Sequence, residues 1–252
     1  MSDLAKLTAA CIIGDLDAAK HVAKHAKQRI TVEDIITENS GPLQLACAMC
    51  RLEVARWLVE HFGVTAWPRA GGLMRVNLCF SKDMAAWLTT AFGLTADDAR
   101  HDDNWALRYT CYNGRLDAAK WLAETFRLGV DDARARNSMA LRFACGWGHL
   151  SIAQWLVATY HDARDSDPED TALVKACRGG HLDVAQWLVA TFSHARGDLD
   201  AALDTAFECD RKDIARWLVE MAGGSGAAPA AWTQQPATAV TRPTPLRPVA
   251  AP

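Results

Sequence analysis

The chain has 252 residues, 50% of them apolar and 23% charged, the composition of an ordinary globular protein. Its formal net charge of −3 offers no basic excess for a polyanion, so neither DNA nor RNA is an expected partner. No stretch reads as long and apolar enough to span a membrane, and the N-terminus, charged at Asp3, Lys6 and Asp15, lacks the layout of a secretory signal.

Along the chain the dominant feature is a leucine followed 14 residues later by a tryptophan. The pair occurs as Leu43/Trp57, Leu73/Trp87, Leu107/Trp121, Leu141/Trp155, Leu173/Trp187 and Leu203/Trp217. A first copy, Leu7/His21, keeps the spacing without the indole. The leucine-to-leucine steps are 36, 30, 34, 34, 32 and 30 residues, while the distance from leucine to anchor never varies. Each unit therefore reads as a rigid pair of antiparallel helices, and the linkers absorb the variation.

The first unit covers about residues 2–27. Ser2 or Asp3 caps a helix to Ile13, Gly14 ends it, and a second helix starts near Leu16. Lys20, His21, Lys24 and His25 make that second helix polar, as suits an end repeat with one face in water. The second unit, 40–62, opens on Gly41-Pro42, with Pro42 fitted to a first helical turn. The third, 73–92, follows a linker with Trp67, Pro68, Gly71 and Gly72 and lacks the turn glycine. In the fourth and fifth, Asn104 and Ser138 stand where they can cap the first helix. Gly114 and Gly148 end it, and second helices begin at Leu116 and Leu150. The sixth unit, 170–192, keeps Gly180-His181, where the seventh, 200–222, has Asp210-Arg211.

Within the second helix, alanine stands two residues before the anchor in all seven copies, Ala153 and Ala185 among them. Leucine follows the anchor in six. Six tryptophans in register predict a buried spine, each ring removing roughly 150–250 Å² from water. Cys11, Cys47, Cys111, Cys145 and Cys177 each lie ten residues before their anchor, which marks a packing position and a reducing, intracellular compartment. Cys47, Cys50 and His61 would be the start of a zinc site, but no second Cys or His pair falls at ligand spacing. From Gly223 the composition changes: residues 223–252 hold six prolines and no acidic residue or lysine, and predict a disordered tail.

Residues 1–222 resemble ankyrin repeats. The resemblance rests on Gly41-Pro42-Leu43-Gln44 and Asp170-Thr171-Ala172-Leu173 at the family's first-helix element. It extends to Ala144-Cys145 and Ala176-Cys177, and to the turns Gly148-His149-Leu150 and Gly180-His181-Leu182. It implies an all-α, ankyrin-type α-solenoid of about seven helix-turn-helix repeats at 1–222, with the disordered tail at 223–252. The family's first-helix histidine is here Gln44, Arg108, Arg142 or Val174, which removes its usual turn hydrogen bond. Linkers such as residues 93–100 lack the hairpin-tip pattern, which argues against extended fingers. The tryptophan-rich helices and DDAR linkers resemble the ankyrin families of large DNA viruses that infect amoebae, which implies a viral protein acting in a host cytoplasm.

No nucleophile elbow, phosphate-binding loop or metal motif is present, so the sequence predicts no enzyme, no cofactor and no metal. His149 and His181 recur at the inter-helix turn and read as turn stabilisers. Asp117, Asp183, Glu53 and Asp213 fall in the first turn of a second helix, where negative charge is favoured. The Asp-Ala-Arg triplets 98–100, 132–134 and 162–164 either read acidic partners or tie neighbouring linkers together. The resemblance implies a protein partner on the concave side, bound by a monomer. The candidates are the large variable residues Trp105, Arg108, Tyr109, Met139, Arg142, Phe143 and Lys175 on first helices, with Tyr112 and Trp147 near the turns. Tyr109 and Phe143 equally suit packing between repeats. The expected function is a non-enzymatic interaction scaffold, the alternatives being a ubiquitin-ligase substrate adaptor or a structural particle component. In the tail, Arg242 to Pro248 holds a PxxP that fits a polyproline-binding groove.

Overall fold

The computed structural model describes residues 1–37, 41–65, 81–160, 171–192 and 196–221. Leu73 and most of the third unit's first half, the 162–164 triplet, the 223–252 tail and its PxxP lie outside the described residues. Among the described residues there are helices and no strands. Six helix pairs follow the expected units: α1 (Asp3–Ile13) with α2 (Leu16–His25), α4 (Pro42–Ala48) with α5 (Leu52–Phe62), and α7 (Ala96–Tyr112) with α8 (Leu116–Phe126). Then come α9 (Val130–Gly146) with α10 (Leu150–Tyr160), α11 (Ala172–Gly179) with α12 (Leu182–Thr191), and α13 (Arg196–Glu208) with α14 (Lys212–Met221). The third unit shows its second helix, α6 (Lys82–Phe92), and a short α3 (Val32–Ile36) stands between the first two units. The molecule is an all-α solenoid.

The helix ends follow local chemistry. The Ser2 hydroxyl accepts from the Ala5 N–H, and Asp15 accepts from Ala18 in the same way at the start of α2. Pro42 occupies the first position of α4, where its missing N–H leaves no bond unmade. Gly114 and Gly148 turn between the paired helices at φ +72° and +74°. At the same step Cys50 and Asp210 take φ +54° and +53°, a conformation that carries strain for residues with a Cβ.

The spine differs from the one the tryptophans predict. The six anchors Trp57, Trp87, Trp121, Trp155, Trp187 and Trp217 are only partly buried. The leucines that follow them, Leu58, Leu88, Leu122, Leu156, Leu188 and Leu218, are buried, together with the alanines two before the anchors. On a helix, neighbouring residues point about 100° apart, so anchor and leucine cannot both face the adjacent repeat. The leucine takes the interior and the indole lies at the rim. There each ring meets the edge of an aromatic five residues on: Trp57–Phe62, Trp87–Phe92, Trp121–Phe126, Trp155–Tyr160 and Trp187–Phe192, at 5.8–6.3 Å between centroids. On the first helices Leu7, Leu43, Leu107, Leu141 and Leu173 are buried, as are all five register cysteines; Leu203, in the last repeat, is partly exposed.

The order of costs is therefore inverted. Leu156→Ala should lose about 2–5 kcal/mol, and Trp155→Ala should lose less, about 1–2 kcal/mol, because part of its ring is already wet. Chemical denaturation of the two variants measures both, and a larger loss at Trp155 would restore the tryptophan spine.

Candidate functional site

The linkers decide which side chains reach the surface. Three of them share a one-turn helix with a carboxylate at its third position. Asp34, Asp98 and Asp132 each accept from the backbone N–H of Thr31, Thr95 and Gly129, at 2.8 Å in every case. Ile35, Ala99 and Ala133 fasten these turns to the core. These linkers thus form one-turn helices. After the turn, Asp102, Asp103 and Asn104 take left-handed φ of +53°, +53° and +60°, and Arg136, Asn137 and Ser138 take +50°, +58° and +53°. This reverses the chain into the first helix proper. Asn104 and Ser138 sit inside the reversal, so neither is the extended N-cap that their spacing predicts.

Such a reversal costs free energy at each residue, and arginines offset it. Arg108 donates from Nε to the Asp103 carbonyl at 2.9 Å and from Nη2 to the Asp102 carbonyl at 2.7 Å. Arg142 donates to the Arg136 carbonyl at 3.1 Å. Both were expected on the partner-facing surface, and both are buried, at 2% and 6% exposure. The physical reason is the clamp itself: the Arg108 fork holds two carbonyls at once, and Arg142 reaches the Arg136 carbonyl. At two of the four positions noted above, Arg108 and Arg142 thus bond backbone carbonyls of the linker through a long arm. Met139 belongs to the same clamp, its sulfur 3.1 Å from Arg108 Nη1.

The Asp-Ala-Arg triplets tie linkers together where both partners are described. Arg100 grips Asp132 of the next linker, Nε to Oδ1 at 2.9 Å and Nη2 to Oδ2 at 3.2 Å. Outside the triplets, Arg136 makes a second tie between the same linkers, to Asp103 at 2.8 Å and Asp102 at 3.6 Å.

At the other end of each pair a second inter-repeat bridge recurs, made from the residue after the turn. His149 Nε2 donates to the Tyr112 carbonyl at 3.0 Å, and His181 bonds the Gly146 backbone. Arg51 reaches the Ile12 carbonyl and Arg211 the Arg178 carbonyl, each from Nε at 3.1 Å. Every acceptor lies two residues before the preceding turn residue. The side chain lies over the glycine there, so a Cβ on Gly148 would stand 2.5 Å from His181 Nδ1. The histidines are therefore couplings between repeats as well as turn residues. Burial pulls both imidazoles below their ordinary value, against the opposing pull of the backbone bond.

The remaining candidates come together. Trp105 stacks on Tyr109 at 5.3 Å, and Tyr109 on Tyr112 at 5.5 Å. Tyr112 meets Phe143 edge-on at 5.5 Å and Trp147 at 4.6 Å. The Arg108 guanidinium lies 5.2 Å over the Trp105 ring. The result is one aromatic ridge running from the fourth repeat to the fifth. Phe143 meets Tyr112 across the fourth and fifth repeats, while Tyr109 stacks on rings of its own helix. Trp147 ends the ridge at 43% exposure. Lys175 of the sixth repeat adjoins it, its Cβ close to Gly146.

Burial pushes the thiols of Cys11 and Cys177 up to about 12 and that of Cys47 higher, which leaves them as protonated core residues. Among the described residues no three His, Cys, Asp or Glu side chains converge as metal ligands, and no helix is long and apolar enough to cross a membrane. The bridges and the ridge carried sequence signals that residue types alone did not reveal. These were the basic or imidazole residues at 51, 115, 149, 181 and 211, each just after a turn, and the aromatics at 105, 109 and 112, which share one helix face.

A family model described as ankyrin repeats (many copies) matches residues 105–157, which are the fourth and fifth repeats. Among solved structures, the crystal structure of human ASB11 ankyrin repeat domain is similar with a TM-score of 0.61 at 18% identity. The similarity covers 89% of this chain and 99% of that one. At that identity the likeness speaks for the fold. No curated protein matches the chain. The solenoid is of ankyrin type.

Two outcomes are expected. Arg108→Met should destabilise the array by about 1–3 kcal/mol, since it strands two half-buried carbonyls, and Arg108→Lys should restore little of it; denaturant midpoints decide. Stability should also fall as pH drops below the ordinary imidazole value of 6.5. The unfolded histidines take up protons there while His149 and His181 resist, so their contribution is complete above that value and lost beneath it. Replacing both by Arg, as at 51 and 211, should shrink the difference between urea midpoints at about pH 7.5 and about pH 5.5. An unchanged difference would assign the dependence to other groups.

Proposed function

We propose that this chain is a non-enzymatic scaffold that seats one protein partner on the first-helix face of its fourth and fifth repeats. Ankyrin repeats generally mediate protein–protein interaction. The observation that carries the specific reading is Trp147, exposed at the end of an aromatic ridge and braced by Tyr112 at 4.6 Å. A large ring held in place by its neighbours loses little entropy on binding, which is why such rings anchor interfaces. The clamps at Arg108 and Arg142 support the same reading, since they fix the helices that carry the ridge. Tyr112, Phe143, Trp147 and Lys175 form the docking set, with Trp105 and Tyr109 behind them. The host-directed form of this reading is supported by the sequence resemblance of the tryptophan-rich helices and linkers.

Affinity capture with the full chain tests the proposal. A partner retained by the unaltered chain should be lost with Tyr112→Ala/Trp147→Ala. It should survive Glu124→Ala/Gln186→Ala, which alters exposed second-helix positions. Circular dichroism checks that both variants fold. Capture that is indifferent to Tyr112 and Trp147 would remove the ridge as the docking site.

A further inference from the structure

The first repeat departs from the others in its second helix. Where six repeats carry the anchoring tryptophan, α2 has His21. Four residues on, where the fourth, fifth and sixth repeats have Thr125, Thr159 and Thr191, it has His25. The aromatic five residues after the anchor is gone as well, replaced by Ala26. Both imidazoles are exposed, so packing does not account for their presence. The second repeat comes nearest to this arrangement, but there His61 stacks on Trp57, whose indole nitrogen is a donor only.

Residues four apart on a helix lie one above the other on the same face. The rings of His21 and His25 stand with their centroids 4.4 Å apart and their planes tilted by 30°. An ion about 2.0–2.1 Å from one nitrogen of each imidazole, at an angle between about 90° and the tetrahedral value, sets ring centres about 4.5–5.2 Å apart. The pair is thus held close to a chelating separation by the helix alone. His25 is also oriented through its other nitrogen. Its Nδ1 lies 2.9 Å from the His21 carbonyl, which can only accept, so Nδ1 donates and Nε2 of the neutral ring keeps its lone pair. A hydrogen bond of this kind, from the far nitrogen to a backbone carbonyl, is the usual support of a metal-ligating histidine. The position suits a cation too, because the pair occupies the C-terminal part of α2, where the helix dipole favours positive charge. Exposed Asp17, one turn before His21 on the same face, adds negative charge. Lys20 and Lys24 oppose it from the flank, on flexible stems exposed to water.

We infer that His21 and His25 chelate one divalent ion of the late transition series, zinc, nickel or copper, the metals that imidazole suits. His25 ligates through Nε2. With two protein ligands the site falls short of a closed structural zinc centre, so water completes the coordination shell. The ion bridges successive turns of α2 and binds the helical form in preference to the unfolded chain, which stabilises the first repeat. The site lies three repeats from the aromatic ridge and does not depend on the docking reading.

Calorimetric titration of the full chain with nickel chloride, repeated with zinc chloride, tests this. One ion per chain is expected, with affinity falling at least about tenfold in His21→Ala and in His25→Ala, since each variant leaves a single ligand. His61→Ala should bind as the unaltered chain does. Amide exchange of residues 16–25 should slow when the ion is added and recover with a chelator. Both positions are exposed and alanine favours helix, so the variants should keep the fold, which circular dichroism checks. No binding up to about 1 mM ion would leave the pair as stacked rings only and overturn the inference. Binding that survives both substitutions would put the ion elsewhere and overturn it as well. Binding that leaves exchange in α2 unaltered would mean a single-ring ligand and would remove the chelate.

Discussion

A pair of short antiparallel helices cannot bury its own leucines, and the rest of this structure follows from that constraint. The buried residues of a second helix, such as Ala153 and Leu156, need the repeat before and the repeat after to close over them. Stability therefore resides in the interfaces between units, and each unit has to hold its neighbour at a fixed height and angle. The alanines at 55, 85, 119, 153, 185 and 215 permit the close approach, since any larger side chain there would push layers apart.

Two sets of polar bonds set the angle, one at each end of the helix pair. At the linker end, Arg100–Asp132 and Arg136–Asp103 run from one unit to the next. At the turn end, Arg51, His149, His181 and Arg211 reach back to a carbonyl of the preceding first helix. The exposed ion pairs contribute little free energy each, and their value is geometric. The turn-end bonds act in the same geometric way, since the carbonyls they reach lie in exposed or half-buried positions. This explains why the turn-end residue alternates between His and Arg without change of role: both place a nitrogen donor over a left-handed turn residue.

Much of this was legible as period and register. The repeat spacing, the buried cysteines, Ser2 and Gly14 at the ends of α1, and Pro42 at the start of α4 all express local rules that act within one turn of helix. The tryptophans misled because a large ring at an invariant position suggests a core residue. Which of two neighbouring apolar residues faces inward depends on the rotation of the helix against its neighbours, and Leu156 rather than Trp155 won that choice. The linkers misled for a related reason. Two runs of three consecutive left-handed residues, none of them glycine, run against residue preference, and the Arg108 and Arg142 clamps make the reversals tolerable. Those same clamps removed two arginines from the surface set, while the stacking of Trp105, Tyr109, Tyr112 and Trp147 depended on which repeats adjoin.

The residue just before each turn shows where recognition has room to differ between copies. In successive described repeats that position holds Ile13, Met49, Asn113, Trp147, Gly179 and Cys209. Ile13 and Met49 are 69% and 49% exposed, comparable to Trp147. Where the position faces water, as at Ile13, Met49 and Trp147, packing leaves size and polarity free to differ. One residue later the left-handed conformation favours glycine, and one residue after that the bridge requires a donor. A position free to vary, fixed in space by constrained neighbours, gives each layer a side chain of its own at a known height on the stack. Gly179 carries this furthest: a Cβ there would collide with the Gly146 carbonyl and the His181 ring. At that position the sixth repeat therefore presents backbone alone, and Lys175 is the side chain it brings to the end of the ridge.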